Sequence, residues 1–303
     1  MRRVHRHGFA AVLGLLAIGA GLVWWRLGVI DIETVAPGLY MLTGVGGNVT
    51  VLVTDAGAAI VDSMTFVRQG RAIEDRVRAL TPKPVLALLN THYHFDHTHG
   101  NPAFPHGTRV VATLRTLQHL RTLDADFWRD EPARDLLPNT ILDHGLDLHI
   151  GRKTVRALEL GRGHTDGDLV VLFPDDRVLA AGDLFFNGHW PNIDLEAGAS
   201  VREWSATLDR VLALDFDRVI PGHGPLSDRA GLERFRDFLR SLWTQTEAVV
   251  ARGGSVADAR RDVDLDRFGL TPLWFAPYLN RRFVIGRTFE EASQQASASR
   301  SQP

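Results

Sequence analysis

Apolar residues after the first 26 positions fall mostly into short runs separated by Gly, Asp and Pro, a pattern typical of β-strands and tight turns. Val49–Val53 and Ala58–Val61 flank an Asp-Ala-Gly turn, which predicts a hairpin. Val67–Leu80 instead has apolar residues at three- and four-residue steps, which predicts a surface helix. Similar patterns predict strands at residues 39–42, 85–90, 109–112, 154–160, 168–173, 177–181 and 218–220, and helices at residues 114–123, 201–214 and 226–251.

The predicted strands fall into two sets along the chain, and helices accompany each set. Because the apolar faces of sheets and helices have to be buried against each other, this order predicts an α/β fold of two sheets packed face to face with helices outside. The main domain is expected over residues 30–228 and a helical segment over residues 229–291. Residues 292–303 are rich in Ser and Gln and are expected to form a disordered tail.

The N-terminal segment, residues 1–26, differs from the rest of the chain. A basic start precedes an uncharged run at residues 8–25, which as a helix would span ~27 Å, enough for a bilayer core. No clean signal-peptidase site follows the run, which favours an uncleaved membrane anchor over a cleaved signal peptide. The basic start predicts an inner-membrane anchor with the domain facing the periplasm, whereas cleavage would release the domain into the periplasm.

Composition narrows the classes of partner. The 303 residues carry a net charge of −2, and their 34 Lys and Arg residues are dispersed, so no nucleic-acid partner is expected. Cysteine is absent, which excludes disulfides, a Cys nucleophile and thiolate metal ligands. The expected partner is a small-molecule substrate, and the sequence leaves the oligomeric state open.

The densest group of chemically active side chains follows the strand predicted at residues 85–90. The run Thr-His-Tyr-His-Phe-Asp-His contains His92, His94, Asp96 and His97. Imidazole and carboxylate are ligands that zinc and related divalent ions accept, and loops at strand ends direct several side chains to one place. The run therefore predicts a metal site.

Three further turns at the ends of predicted strands carry one candidate ligand each. His164 lies in Gly-His-Thr-Asp-Gly, Asp183 in Gly-Asp-Leu-Phe, and His223 in Pro-Gly-His-Gly-Pro. A single His beside glycine is usually a turn residue, but the joint occurrence of four such segments favours one shared site. A site for two ions needs about three ligands per ion and open positions for water and substrate.

Taken in this order across residues 35–228, the four segments resemble the metallo-β-lactamase superfamily. The resemblance implies a four-layer αββα sandwich with metals at one edge between the sheets, here followed by a C-terminal helical extension. A bridging Asp combined with His at the second metal is similar to the hydroxyacylglutathione hydrolases and lactonases of the superfamily. The resemblance implies first-metal ligands His92, His94 and His164, second-metal ligands Asp96, His97 and His223, a bridging Asp183, and an Asp62 that braces the ligand loop.

This ligand set predicts a metal-dependent hydrolase. A hydroxide bridging two zinc ions would open an ester, thioester, lactone or lactam bond, with Asp96 and Asp183 as catalytic residues. Iron and manganese are not excluded, because His and Asp ligate them as well. Two alternatives are a mononuclear iron dioxygenase acting on a persulfide, which the second-metal ligands argue against, and a non-enzymatic metal-bearing envelope protein. Asn187, His189 and Trp190 are expected to border the pocket of a substrate that the sequence does not identify.

Overall fold

The computed structural model of the protein describes residues 28–300. The expected membrane anchor or signal segment, residues 1–26, lies outside this range. Within residues 28–300, no helix combines the length and the apolar character needed to cross a bilayer.

Seven strands of the first half of the chain form one sheet and lie in it in chain order. They are β1 (Asp31–Ala36), β2 (Leu39–Thr43), β3 (Val49–Val53), β4 (Ala58–Val61), β5 (Val85–Leu89), β6 (Val110–Ala112) and β7 (Thr140–Ile141). Neighbouring strands from β1 to β4 pair antiparallel, and neighbouring strands from β4 to β7 pair parallel. The helices of this half are α1 (Val67–Leu80), α2 (Phe95–Thr98), α3 (Leu114–Thr122) and α4 (Ala125–Trp128).

Six strands of the second half form the other sheet, again with neighbours adjacent in the chain. They are β8 (Gly145–Ile150), β9 (Lys153–Leu158), β10 (Val170–Phe173), β11 (Val178–Ala180), β12 (Arg218–Ile220) and β13 (Ser227–Asp228). β11 and β12 are parallel, and the other pairs are antiparallel. The helices of this half are α5 (Val201–Leu212), α6 (Arg229–Ala251), α7 (Val256–Asp262) and α8 (Arg281–Arg300).

The two sheets pack face to face, and the alternation of strand residues explains how. On β4, Ala59 and Val61 lie in the apolar core between the sheets, together with Val171 of β10. Ala58 and Ile60 face the other way, into the core shared with α1. Because successive strand side chains point to opposite faces, a fully apolar strand is buried on both sides. The predicted four-layer αββα sandwich with C-terminal helices is confirmed.

The predicted strands agree with the observed ones to within two residues at each end, but four strands were not predicted. β1, β7, β8 and β13 are all at sheet edges, and β13 lies where the sequence predicted the start of a helix. Four of the six residues of β1 are exposed, and half of those of β8. An edge strand with one solvated face lacks the apolar run on which the strand predictions depended.

The C-terminal end differs from the expected disordered tail. α8 continues through residue 300, well beyond the expected boundary at residue 291, and Ala292 is buried. Glu291, also buried, accepts hydrogen bonds from the Ser200 hydroxyl at 2.6 Å and from the Val201 backbone N–H at 2.8 Å. A carboxylate at the first turn of α5 is favoured because the helix dipole is positive there. Residues 292–300, whose composition indicates disorder, are thus the last turns of α8.

We expect Glu291→Ala to destabilise the fold by about 1–3 kcal/mol, because it leaves the buried Val201 N–H without its partner. The matched control is Glu290→Ala, which removes an exposed carboxylate paired with Arg287 at 3.0 Å and should change stability little. Chemical denaturation measures both values. Equal losses in the two variants would show that the buried contact does not hold α8 in place.

Candidate metal centre

Both sheets direct strand ends to one edge of the sandwich, and the candidate ligands lie in the loops after these ends. The segment after β5, which includes the short helix α2, carries His92 and His97, the segment after β11 carries Asp183, and the turn after β12 carries His223. His164 lies in the connection between β9 and β10. Side chains from both sheets therefore meet at a single place.

The structure gathers the seven candidate ligands into two adjoining groups, whose ligand atoms lie within 4.8 Å of one another inside each group. We call His92, His94, His164 and Asp183 the first group, and Asp96, His97 and His223 the second group. The side chains of His94 and Asp96 are 14% and 13% exposed. The other five are at most 4% exposed. The site therefore opens to solvent beside His94 and Asp96.

Asp183 lies between the two groups. Its Oδ2 is 3.4 Å from His164 Nε2 and 3.8 Å from His92 Nε2. Its Oδ1 is 3.1 Å from His97 Nε2 and 3.4 Å from His223 Nε2. This Oδ1 is buried and has no hydrogen-bond partner within the described part of the chain. A buried carboxylate oxygen in this position fits a cation, because leaving it without a partner is costly.

Asp62, directly after β4, orients two imidazoles of the site. Its Oδ1 accepts the Thr91 backbone N–H at 2.8 Å, and its Oδ2 accepts the Thr91 hydroxyl at 2.7 Å and His97 Nδ1 at 2.8 Å. Because the hydroxyl gives its one proton to Asp62, its oxygen accepts from His92 Nδ1 at 3.1 Å. A neutral imidazole that donates through Nδ1 keeps its lone pair on Nε2. In the neutral form that binds a metal, His92 and His97 therefore turn Nε2 lone pairs toward the site.

Asp194 orients His94 in the same way, from the loop before α5. Its Oδ2 accepts His94 Nε2 at 2.9 Å and the Tyr93 hydroxyl at 2.5 Å. His164 Nδ1 donates to the Asn192 carbonyl oxygen at 3.0 Å. The inner nitrogens, His94 Nδ1 and His164 Nε2, then lie 2.7 Å apart. Two lone pairs at that distance repel each other unless a cation lies between them, so this donor set fits a metal ion. A lone Asp in an irregular segment gives no sequence signal, and the sequence analysis missed Asp194.

Burial and neighbouring charges set the protonation of the metal-free site. Burial lowers the pKa of His164 to about 4 and holds the pKa of His92 well below its usual value. Burial also opposes charge on His223, but the carboxylates of Asp183 and Asp96 outweigh it and raise its pKa to about 9. Burial raises the pKa of Asp183, yet the His223 charge keeps it well below the usual range. The second group thus holds protons that a divalent cation would displace on binding.

Two glycines allow the backbone to approach the ligands closely. A Cβ on Gly47 would lie 2.2 Å from the His97 ring, and a Cβ on Gly222 would lie 2.0 Å from Asp183 Oδ1. Either side chain would displace a ligand atom, so glycine is required at both positions.

The three residues expected to border the substrate lie in different surroundings. Asn187 Nδ2 donates at 2.9 Å to a carbonyl oxygen of the Pro-Gly-His-Gly-Pro turn. His189 is partly exposed, with Nδ1 3.3 Å from the Thr271 carbonyl oxygen. Trp190 is buried and its ring packs against Phe238. The Trp190 indole therefore takes part in core packing, and its expected place beside the substrate stays a prediction.

We expect Asp194→Ala to weaken metal binding about 10- to 100-fold, because the partner that orients a ligand is lost. The matched control is Asp124→Ala, which removes a comparable pair, His99 Nε2 to Asp124 Oδ2 at 2.7 Å, outside both groups. Competition with a chromophoric chelator measures the affinities. A normal affinity in the Asp194 variant would exclude the proposed orientation of His94.

Comparisons with known proteins agree with this geometry. A sequence model of the metallo-β-lactamase superfamily matches residues 42–223. The chain is 29% identical over 199 residues to the metallo-β-lactamase type 2 of Bacillus sp. (strain 170), covering 65% of this chain and 74% of that protein.

Two solved structures share the fold. DIM-1 metallo-β-lactamase matches with a TM-score of 0.60 and 23% identity, over 70% of this chain and 97% of that one. A double mutant of the sec-alkyl sulfatase PisA1 matches with a TM-score of 0.70 and 16% identity, over 90% of this chain and 53% of that one. The residues matched by the superfamily model contain both groups of ligands. The chain therefore belongs to the metallo-β-lactamase superfamily and is a metallo-hydrolase with a His and Asp metal-binding site.

Proposed function

We propose that the protein is a two-zinc hydrolase that opens an ester, thioester, lactone or lactam bond. The observation that carries the proposal is the position of Asp183, which turns one carboxylate oxygen toward each group of ligands. A site for one ion would have no use for the second group, in which Asp96 Oδ2 lies 3.3 Å from His223 Nε2. The complete second group therefore favours this function over the mononuclear iron dioxygenase.

In such a reaction, bound zinc and Asp96 would have different roles. Bound zinc would supply the acidity that deprotonates water near neutral pH and the charge that polarises the bond under attack. In the metal-free site, burial opposes ionisation of Asp96, but the His97 and His223 charges outweigh it and lower the Asp96 pKa to about 2. Bound zinc would replace those charges and keep Asp96 ionised. Its carboxylate, at the open side of the site, can accept a hydrogen bond from the attacking water and so orient it.

The substrate panel follows from the chemistry and from the relatives. A thioester, a lactone and a neutral ester test the carbonyl substrates that the ligand set predicts. The relative named metallo-β-lactamase type 2 adds a β-lactam, and the fold shared with a sec-alkyl sulfatase adds an alkyl sulfate.

We also propose that residues 1–26 anchor the protein at the inner membrane with the catalytic domain in the periplasm, on the basis of the apolar run at residues 8–25. External protease added to spheroplasts should then digest the domain. Protection of the domain, or recovery of the full-length protein in the cytoplasm, would contradict this orientation.

We expect the purified protein to bind two zinc ions per chain and to hydrolyse at least one substrate of the panel. His164→Ala and His97→Ala should each weaken the binding of one zinc ion, whereas Asp183→Ala should weaken the binding of both. Since loss of a partner that only orients a ligand already costs about 10- to 100-fold, the Asp183 variant should lose activity on the order of 100-fold or more. Elemental analysis and steady-state kinetics measure the two effects.

Each alternative gives a different result. A fully zinc-loaded protein that is inert on the whole panel would contradict the hydrolase proposal. Iron in place of zinc, with oxygen consumed in the presence of glutathione persulfide, would identify the dioxygenase. Inertness in both assays together with firm metal binding would favour the non-enzymatic envelope protein.

A further inference from the structure

A loop near the C-terminus, residues 269–280, returns to the metal centre; we call it the C-terminal loop. The Thr271 N–H donates to the Gly188 carbonyl oxygen at 3.0 Å, which attaches the loop to the segment that follows the bridging carboxylate. Farther along the loop, the Phe275 ring centroid lies 5.8 Å from that of His223. Residues outside the region matched by the superfamily model therefore form part of the wall around the second group.

Three large aromatic side chains near the opening of the site are exposed to solvent. Trp274 is 73% exposed and Tyr278 is 63% exposed, both on the C-terminal loop, and Phe95 is 52% exposed. Single exposed aromatics are common, but several beside one opening indicate a surface that binds an apolar group. Aromatic rings provide large contact areas with few rotatable bonds to immobilise.

The positions of these rings connect them with the open side of the site. Phe95 lies in the chain between His94 and Asp96, the two more exposed ligands. Trp274 faces the loop after β2 across a cavity of about 150 Å³ that Val45 also lines. That loop adjoins the ligands, because a Cβ on its Gly46 would lie 3.2 Å from Asp96 Cβ. The loop that lines the cavity therefore also approaches a ligand of the second group.

The charges around this opening favour a neutral, apolar group. Asp31 lies on the cavity wall, and no Lys or Arg lines the cavity within the described part of the chain. Burial, together with the negative charge of Asp96, raises the pKa of the Tyr278 phenol. An anionic group of the substrate would meet like charge here, whereas an alkyl or aryl group would cover exposed apolar surface.

We propose that Trp274, Tyr278 and Phe95 bind an apolar acyl chain of the substrate, so that the enzyme prefers esters and thioesters of medium-chain acids to those of acetic acid. This inference rests on the proposed hydrolase function. It adds a substrate class and assigns the selection to the C-terminal loop.

The kinetic test compares p-nitrophenyl octanoate with p-nitrophenyl acetate. In the wild type, kcat/KM should be higher for octanoate, and Trp274→Ala or Tyr278→Ala should reduce the octanoate-to-acetate ratio about tenfold, mainly through KM. Trp274→Phe and Tyr278→Phe, which keep an aromatic ring, should retain most of the ratio. The matched control is Leu86→Ala, a 38% exposed apolar residue near the start of β5, at the opposite end of that strand from the ligands; it should leave both substrates unaffected.

A binding test does not depend on turnover. Calorimetric titration of the zinc-loaded protein with sodium octanoate and with sodium acetate should show at least tenfold tighter binding of octanoate. The two alanine variants should lose most of this difference. Equal affinities in the wild type, or an undiminished difference in both alanine variants, would overturn the inference. A wild type that is inert on the whole substrate panel but shows the difference in binding would contradict the hydrolase function alone. Hydrolysis without chain-length preference would contradict the aromatic site alone.

Discussion

The site depends on one buried carboxylate that is shared between two groups of ligands. Asp183 turns Oδ1 toward His97 and His223 and Oδ2 toward His164, and Oδ1 has no hydrogen bond within the described chain. Burying such a charge is costly unless positive charge lies beside it. Protons on the second group can supply that charge, and metal ions would supply it to both groups. The buried Asp183 carboxylate is therefore stable only with protons or metal ions beside it, so the packing of the fold itself favours cation binding at this site.

The second group is positioned mainly by the first sheet and by close backbone contacts. Asp62, directly after β4, holds His97, and its Thr91 contacts extend this support to His92. Asn48, directly before β3, donates to two carbonyl oxygens of the turn that carries His223, at 2.9 and 2.8 Å. One sheet thus fixes a turn that belongs to the other. The ligands meet because the ligand-bearing strands of both sheets end at the same edge of the sandwich. A shift of one sheet relative to the other would therefore separate the two groups.

The sequence predicted what short-range patterns encode and missed what only long-range packing creates. Buried strands such as Val49–Val53 have apolar runs, and the ligand turns have distinctive glycines and prolines, so both could be recognised. β8 alternates exposed and buried positions at a sheet edge, and its pattern is weak. Asp194 acts on His94 from 100 positions away, and the C-terminal loop reaches the site through a contact 83 positions apart. No local pattern predicts such proximity, and composition likewise gives no sign that residues 292–300 continue α8.

The C-terminal helix contributes to the metal centre without contacting it. Arg287 on α8 donates through Nε to the Ile193 carbonyl oxygen at 3.2 Å. Ile193 lies between Asn192, whose carbonyl oxygen holds His164, and Asp194, which holds His94. The same helix begins directly after the C-terminal loop. The helix α8 therefore supports the segment whose Asn192 and Asp194 hold two ligands of the first group. It also fixes the end of the C-terminal loop, which carries Trp274 and Tyr278. Since the second group takes its support from Asp62 and the first sheet, loosening α8 would disturb the first group before the second.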